Sequence, residues 1–294
     1  MIENFNSIII LLISIFMFFL IFNRYNYSIS QYLKLVDHPN SSLKAHEKPT
    51  PITGGIFLYV CLIIIIFFQK SHNNEAILYL NYLDFFFVSC LFYFGILDDK
   101  FNLGPNIKLL VLALIIFLLL LFNNFLLINK IEITSINLSF NVMSINYFIT
   151  ALSILLFINA SNMFDGLDGQ SGFYFLILFL FLGLTTKFNL ILFGLIFSIV
   201  LFLILNLKKK IFLGDSGIFL LSSIFSIMVI SNYQTGKLIS EEIFLLMMIP
   251  GIDMFRLFVE RIARKKNPFK GDRNHLHHIL LNSFSEKKVL QIII

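Results

Sequence analysis

Nine apolar runs, at about 7–22, 54–68, 79–97, 107–128, 147–159, 171–184, 188–207, 216–232 and 241–260, leave this chain little room to be anything but a membrane protein. Inside hydrocarbon no water bonds the backbone, so each spanning segment must satisfy its own N–H and C=O groups, as a helix does. Hydrophobic residues fill 58% of the 294 positions and mean hydropathy is +0.87, which excludes an ordinary soluble domain. The expected fold class is therefore all-α: a polytopic membrane protein with about nine to ten transmembrane helices, organised as a single domain over residues 1–294. Several runs fall short of the ~20 apolar residues that cross a bilayer. Their helices are expected to extend into the flanking polar segments. The first run ends in Asn23-Arg24 without a small-residue cleavage pattern, so it reads as a retained anchor. Only Cys61 and Cys90 occur, both inside apolar runs, which rules out a disulfide framework.

Charge sets the orientation. With the amino terminus outside, the inward segments hold Arg24, Lys34, Lys44, Lys48, Lys100, Lys108 and Lys208 to Lys210. The last inward segment adds Arg256, Arg261, Arg264, Lys265, Lys266, Lys270 and Arg273, for sixteen of the 22 basic residues. The outward loops hold Lys70, Lys130, Lys187 and Lys237. By the positive-inside rule the amino terminus is outside. The net charge of +5 thus follows from topology and implies no nucleic-acid partner. One outward stretch, 131–138, alternates apolar and polar residues and predicts a short β-hairpin.

The same topology gathers the chemistry on the cytoplasmic face. Asn159-Ala160-Ser161-Asn162-Met163-Phe164-Asp165-Gly166-Leu167-Asp168-Gly169 sits between two apolar runs. An Asp at the centre of a spanning helix costs roughly 3 kcal/mol, so such groups mark a wet substrate or ion site. Asp98 and Asp99 end the third run, Phe212-Leu213-Gly214-Asp215-Ser216-Gly217 precedes the eighth, 37–55 joins the first two, and Arg261 to His278 follow the ninth. Asp98, Asp99, Asp165, Asp168 and Asp215 are hard oxygen donors, to which Asn162 adds an amide oxygen. This set suits Mg²⁺, with Mn²⁺ as the alternative. Lys108, Arg273, His275, His277 and His278 supply donors for phosphate oxygens. Carboxylates, a divalent ion and cations together point to phosphoryl transfer, and their place beside a bilayer to a lipid substrate. Singly, each piece has a structural explanation. Asp98-Asp99 could be a solvated helix end, Gly214 to Gly217 a turn and cap, Asp84 an interfacial or structural carboxylate, and Asp253 with Arg256 a helical ion pair.

In order, these segments resemble the polyprenyl-phosphate N-acetylhexosamine-1-phosphate transferase family. The likeness rests on Asp37-His38-Pro39-Asn40, on Lys44 to Gly55, on Gly95-Ile96-Leu97-Asp98-Asp99 with Lys108 nine residues on, and on the Asn159 to Gly169 and Phe212 to Gly217 segments. It closes with Pro250-Gly251-Ile252-Asp253 and with Asn267 to His278. The resemblance implies transfer of an N-acetylhexosamine-1-phosphate from a UDP-N-acetylhexosamine to undecaprenyl phosphate in the bacterial inner (cytoplasmic) membrane, with UMP released. It implies Asp215 and Asn162 as Mg²⁺ ligands, and Asp98 and Asp99 as the catalytic pair beside the diphosphate. Lys108, Asn159, Asp165, Asp168, Arg273, His275, His277 and His278 are implied to bind substrate. Direct displacement and a covalent intermediate both stay open, as does a homodimer.

His275-Leu276-His277-His278 and Pro49 to Gly55 resemble the branch typified by WecA, TagO and WbpL more than the MraY branch of peptidoglycan synthesis. That favours the first step of O-antigen, teichoic acid or similar surface-glycan assembly. The family ordinarily continues into a further span where this chain ends at Ile294, which predicts a shortened or missing carboxyl-terminal helix and keeps an inactive, scaffolding homologue in view. A multispan transporter would place its ionisable groups near the midplane on broken helices. An intramembrane prenyltransferase with paired Asp motifs would not call for the Asn-rich loop and His cluster together.

Overall fold

Apolar runs become helices wherever the chain has enough of them. The computed structural model describes residues 2–38, 48–71, 80–265 and 275–293, and among these the fold is nearly all α. The long helices are α1 (Ile2–Leu33), α2 (Gly54–Ser71), α3 (Tyr82–Phe101), α4 (Pro105–Phe122), α5 (Asn146–Phe164), α6 (Gln170–Thr186), α7 (Leu190–Asn206), α8 (Gly214–Gln234) and α9 (Ser240–Ala263). Short helices α10 (Leu276–Leu281) and α11 (Glu286–Ile293) follow. Four stretches, Asn6–Leu33, Pro105–Phe122, Met143–Phe164 and Gly214–Gln234, are long and apolar enough to cross a membrane. Gly54–Gln69, Gln170–Thr186 and Leu190–Asn206 are shorter apolar helices.

As expected, the helices overrun their apolar runs. α5 continues through Asn159 and Asn162, α3 through Asp98 and Asp99, and α8 starts at Gly214, one residue before Asp215. The polar residues of interest therefore stand on helix ends. Strands are confined to two small antiparallel pairs: β1 (Val36–Asp37) with β2 (Thr50–Pro51), and β3 (Lys130–Ile133) with β4 (Leu138–Asn141). The second pair is the hairpin that the alternation predicts, with Lys130 opposite Asn141 and Ile133 opposite Leu138.

Packing divides the chain into two compact units. The first comprises Met1–Ile77, Phe92–Asn102 and Gly172–Gly217, and the second Leu78–Leu91, Leu103–Ser171 and Ile218–Ile294. In the first, α1, α2 and α7 pack together around buried Leu11, Ile15, Phe57, Leu62, Ile65 and Phe202. Gly194 lets α7 close on α2, since a Cβ there would lie 2.5 Å from Ile65. In the second, α5 packs on α4 and α9, and the Phe157 and Phe225 rings meet at 5.4 Å. The hairpin is fastened to helix ends within this unit. The Tyr233 hydroxyl donates to the Lys130 carbonyl (2.9 Å) and accepts the Glu132 N–H (3.0 Å), while Glu241 accepts the Ser135 N–H (2.8 Å) and the Thr134 hydroxyl (3.0 Å).

Asp84, buried at 4% exposure, is paired on every side by helix-end groups. It accepts from Asn123 Nδ2 (2.8 Å) and the Asn81 N–H (3.2 Å), while Asn81 Oδ1 accepts the Asp84 N–H (2.8 Å). This reciprocal cap starts α3 and ties it to the end of α4. Asp84→Ala is expected to cost about 1–2 kcal/mol, the usual value of a lost cap, and to leave catalysis unchanged. Thermal unfolding set beside turnover checks this.

Candidate functional site

In the first unit the carboxylates meet at the start of α8. The chain after β2 is stitched to the segment entering α8: the Phe212 N–H donates to the Pro51 carbonyl (2.8 Å), Gly54 N–H to Phe212 (2.9 Å) and Gly55 N–H to Leu213 (3.0 Å). Gly55 and Gly95 then approach the first turn of α8 so closely that neither can carry a side chain. A Cβ on Gly95 would lie 2.6 Å from the Ser216 nitrogen, and one on Gly55 2.5 Å from the Gly217 nitrogen. Gly-Gly before α2 and Gly95 in α3 thus form a backbone-lined cradle for Asp215 and Ser216. Nothing in their local sequence announces it, because the partner lies over a hundred residues away.

Asp99 completes the cradle. Its Oδ1 accepts the Asp215 N–H (2.7 Å) and its Oδ2 the Ser216 N–H (3.1 Å). The first N–H groups of a helix have no partner within it, and a carboxylate there also meets the positive end of the helix dipole. Burial nevertheless pushes the Asp99 carboxyl up to about 7, and the negative charge of Asp215 adds to the rise. Asp98, one residue earlier, is 2% exposed. Among the described residues no three His, Cys, Asp or Glu side chains gather into a metal site. A Mg²⁺ site needs fewer, since the ion commonly takes one or two carboxylates and fills its shell with water and substrate phosphates. Asp215, whose backbone N–H is held by Asp99, fits that requirement as a single carboxylate ligand. A divalent cation at Asp215 would also relieve the like-charge repulsion between Asp215 and Asp99.

The second unit gathers the amides and imidazoles. α5 ends in Asn159 and Asn162, with Asn159 Nδ2 donating to the Leu155 carbonyl (2.8 Å) and the Asn162 carbonyl accepting the Asp165 N–H. Asn162 and Asp168 are half-buried and Asp165 is exposed. A Cβ on Gly166 would run into the His277 ring, so the Asp165-Gly166-Leu167-Asp168 turn lies directly on that imidazole. His277 is 4% exposed, and its ring centroid lies 4.2 Å from that of His278 and 5.6 Å from that of His275. Lys108, on α4, holds its Nζ 5.9 Å from the centre of the Phe219 ring. Arg273, with Lys44, His46 and the rest of 39–47 and 266–274, lies outside the described residues.

His277 stays neutral at physiological pH: burial first, then the charges of His278 and His275, bring its pKa down to about 4. An unfolded histidine titrates near 6.5. The unfolded chain therefore binds the proton first, and the stability His277 contributes is whole above pH 6.5 and is lost as pH falls from 6.5 to 4. The expected loss is at most about 3 kcal/mol. Thermal unfolding between pH 7.5 and 4.5 should show it, and His277→Asn should flatten the dependence in that window.

One participant escapes the sequence. Asp253, seemingly half of a helical ion pair with Arg256, also accepts the Leu276 N–H at the start of α10, at 3.2 Å to each carboxylate oxygen. The missed signal was its setting, a carboxylate well inside an apolar helix.

Comparison with known proteins decides the ancestry of these clusters. The family model for glycosyl transferase family 4 matches residues 82–232, about half of the chain, from the start of α3 almost to the end of α8. A relative from Thermotoga maritima, an undecaprenyl-phosphate alpha-N-acetylglucosaminyl 1-phosphate transferase, is 31% identical over 262 residues, covering 89% of this chain and 78% of its own length. The chain belongs to glycosyl transferase family 4. Two further relatives carry the same description, from Escherichia coli K12 and from Salmonella typhi. They are 26% and 27% identical over 301 residues, covering 96% of this chain and 79% of theirs. The family match spans Asp98, Asp99, Lys108, Asn159, Asn162, Asp165, Asp168 and Asp215, and the longer alignments run over most of the rest.

Proposed function

We propose that this chain transfers N-acetylglucosamine-1-phosphate from UDP-N-acetylglucosamine to undecaprenyl phosphate, giving undecaprenyl-diphosphate-N-acetylglucosamine and UMP, as the first step of surface-glycan assembly. The observation that carries the proposal is the carboxylate pair, Asp99 and Asp215, seated at the start of an apolar helix. Support comes from relatives described by this transfer along almost the whole chain. In the reaction a lipid-phosphate oxygen attacks the β-phosphorus of the nucleotide sugar. The bond from that phosphorus to the bridging oxygen breaks, and UMP leaves with the oxygen.

A Mg²⁺ ion bound here would neutralise charge on the diphosphate as the bridge breaks. Asp215 is assigned as its protein ligand, and the family resemblance alone adds Asn162. Asp99 aims Asp215 through the two backbone N–H groups it accepts, and Asp98 orients the lipid phosphate for attack. A phosphate monoester with a second pKa near 6 is mostly dianionic at neutral pH, so an acceptor-only carboxylate such as Asp98 acts on the fraction that still carries a proton, holding or accepting that proton. Asp165 and Asp168 face the nucleotide sugar. Neutral His277 serves as a hydrogen-bond donor, and Lys108, Arg273, His275 and His278 hold phosphate oxygens. The same proposal takes the chain as one membrane domain of nine to ten spans in the bacterial inner membrane. Its amino terminus is outside and its acidic and imidazole clusters face the cytoplasm, where UDP-sugars are found.

The experiment is sugar transfer in vesicles. UDP-N-acetylglucosamine labelled in the sugar should yield a lipid-extractable product only when undecaprenyl phosphate and Mg²⁺ are both present. Label that stays in the water phase would overturn the proposal.

A further inference from the structure

We propose that Asp253 is a positioning residue for the imidazoles of this site, its carboxylate seating the first turn of α10 on α9. The transfer assigned above gives this role its purpose, but the seat itself stands on geometry alone. Asp253 lies inside α9, three residues after Pro250, and is only 7% exposed. A carboxylate buried there must be paired. Arg256 Nη2 donates to Oδ1 at 2.8 Å, and the Leu276 N–H lies 3.2 Å from both oxygens. His275 Nδ1 stands 3.5 Å from Oδ2.

Arg256 is itself held from behind. Glu260 lies 3.3 Å from its Nη1, and Arg264 Nη2 lies 2.7 Å from the other oxygen of Glu260. Four charges of alternating sign thus run along one face of α9 and end at the backbone of α10. An ion pair that only steadied α9 would need nothing from Leu276. The bond to Leu276 fixes where α10 begins, and the residue next along is His277, whose ring rests on Gly166. Asp253 therefore sets the position of the imidazoles against the Asp165 to Asp168 turn without touching either.

Two readouts on the full chain in vesicles test this: amide exchange at Leu276, and modification of His277 by diethyl pyrocarbonate. In the parent, Leu276 should exchange slowly and His277 react slowly. Asp253→Ala should raise the His277 modification rate roughly 10- to 100-fold, the worth of a hydrogen bond to a charged group, and lower kcat more than it raises KM. Asp253→Asn, whose amide oxygen still accepts from Leu276, should restore much of the protection and turnover. Unchanged His277 protection in folded Asp253→Ala overturns the assignment. So does an unaltered kcat once His277 has become reactive, or an Asp253→Asn chain no better protected than the alanine variant. Fast exchange at Leu276 in the parent also overturns it, and decides the matter where Asp253→Ala does not fold. Protection is read without turnover, so a parent that transfers no sugar phosphate counts against the transferase assignment and leaves the seat standing.

Discussion

Asp215→Asn is expected to lower sugar-phosphate transfer by about a thousandfold or more while leaving the metal-free protein as stable as the parent or slightly more so. The two effects separate because Asp215 contributes in two ways. Its backbone N–H is held by Asp99 at 2.7 Å, and that bond survives in the variant, so α8 starts as before. Its side-chain charge, by contrast, adds to the burial that pushes Asp99 up to about 7, and neutralising it removes a repulsion. The same charge is what a divalent ion would bind. Mg²⁺ should therefore raise the unfolding temperature of the parent, by mass action on the folded state, and not that of Asp215→Asn. Turnover and thermal unfolding, each with and without Mg²⁺, measure all of this. A variant that kept most of its activity would remove Asp215 from the metal site.

The largest effect on stability is expected at Gly95. An alanine there drives a methyl group into the Ser216 nitrogen at 2.6 Å, where the obstacle is backbone and cannot rotate aside. Overpacking against movable side chains costs about 1–3 kcal/mol. Gly95→Ala should reach or exceed the upper end, and transfer should vanish because Asp215 is displaced together with Ser216. Gly55→Ala should behave alike, having the Gly217 nitrogen at 2.5 Å. Gly104→Ala is the control: its Cβ would meet nothing within 4 Å and its φ is −63°, so its effect should stay within about 0.5 kcal/mol. Chemical or thermal unfolding of the three variants provides the comparison. Equal stability of Gly95→Ala and Gly104→Ala would contradict the cradle.

Much of the architecture was legible because apolar helices advertise themselves by composition. The nine apolar runs and the 131–138 hairpin all have counterparts among the described elements, and the expected overrun into polar flanks put Asp98, Asp99, Asn159 and Asn162 on helix ends. Family membership was legible too, since the motifs keep their order along the chain. What single-sequence reading cannot supply is who meets whom across a hundred residues. The sequence reads Asp99 as half of a catalytic pair, and that it also accepts the first N–H groups of α8 needs the fold. Gly55 and Gly95 stand in their motifs as bare glycines, and what requires them is the backbone of Ser216 and Gly217 pressed against them. Asp253 looked like an i, i+3 partner of Arg256 because helical spacing is visible, whereas its bond to Leu276, 23 residues on, is not. Arg273 lies outside the described residues, and its assigned role rests on the motif.

The central claim is that a sugar phosphate moves, and not a sugar. The nucleotide released separates the two, since phosphosugar transfer leaves UMP and plain glycosyl transfer leaves UDP. The measurement is chromatography of the nucleotides formed by purified protein in vesicles with UDP-N-acetylglucosamine, undecaprenyl phosphate and Mg²⁺. The account predicts UMP, one for each lipid-linked sugar formed, and none when the lipid phosphate is left out. Release of UDP, or of UMP without the lipid, would contradict it.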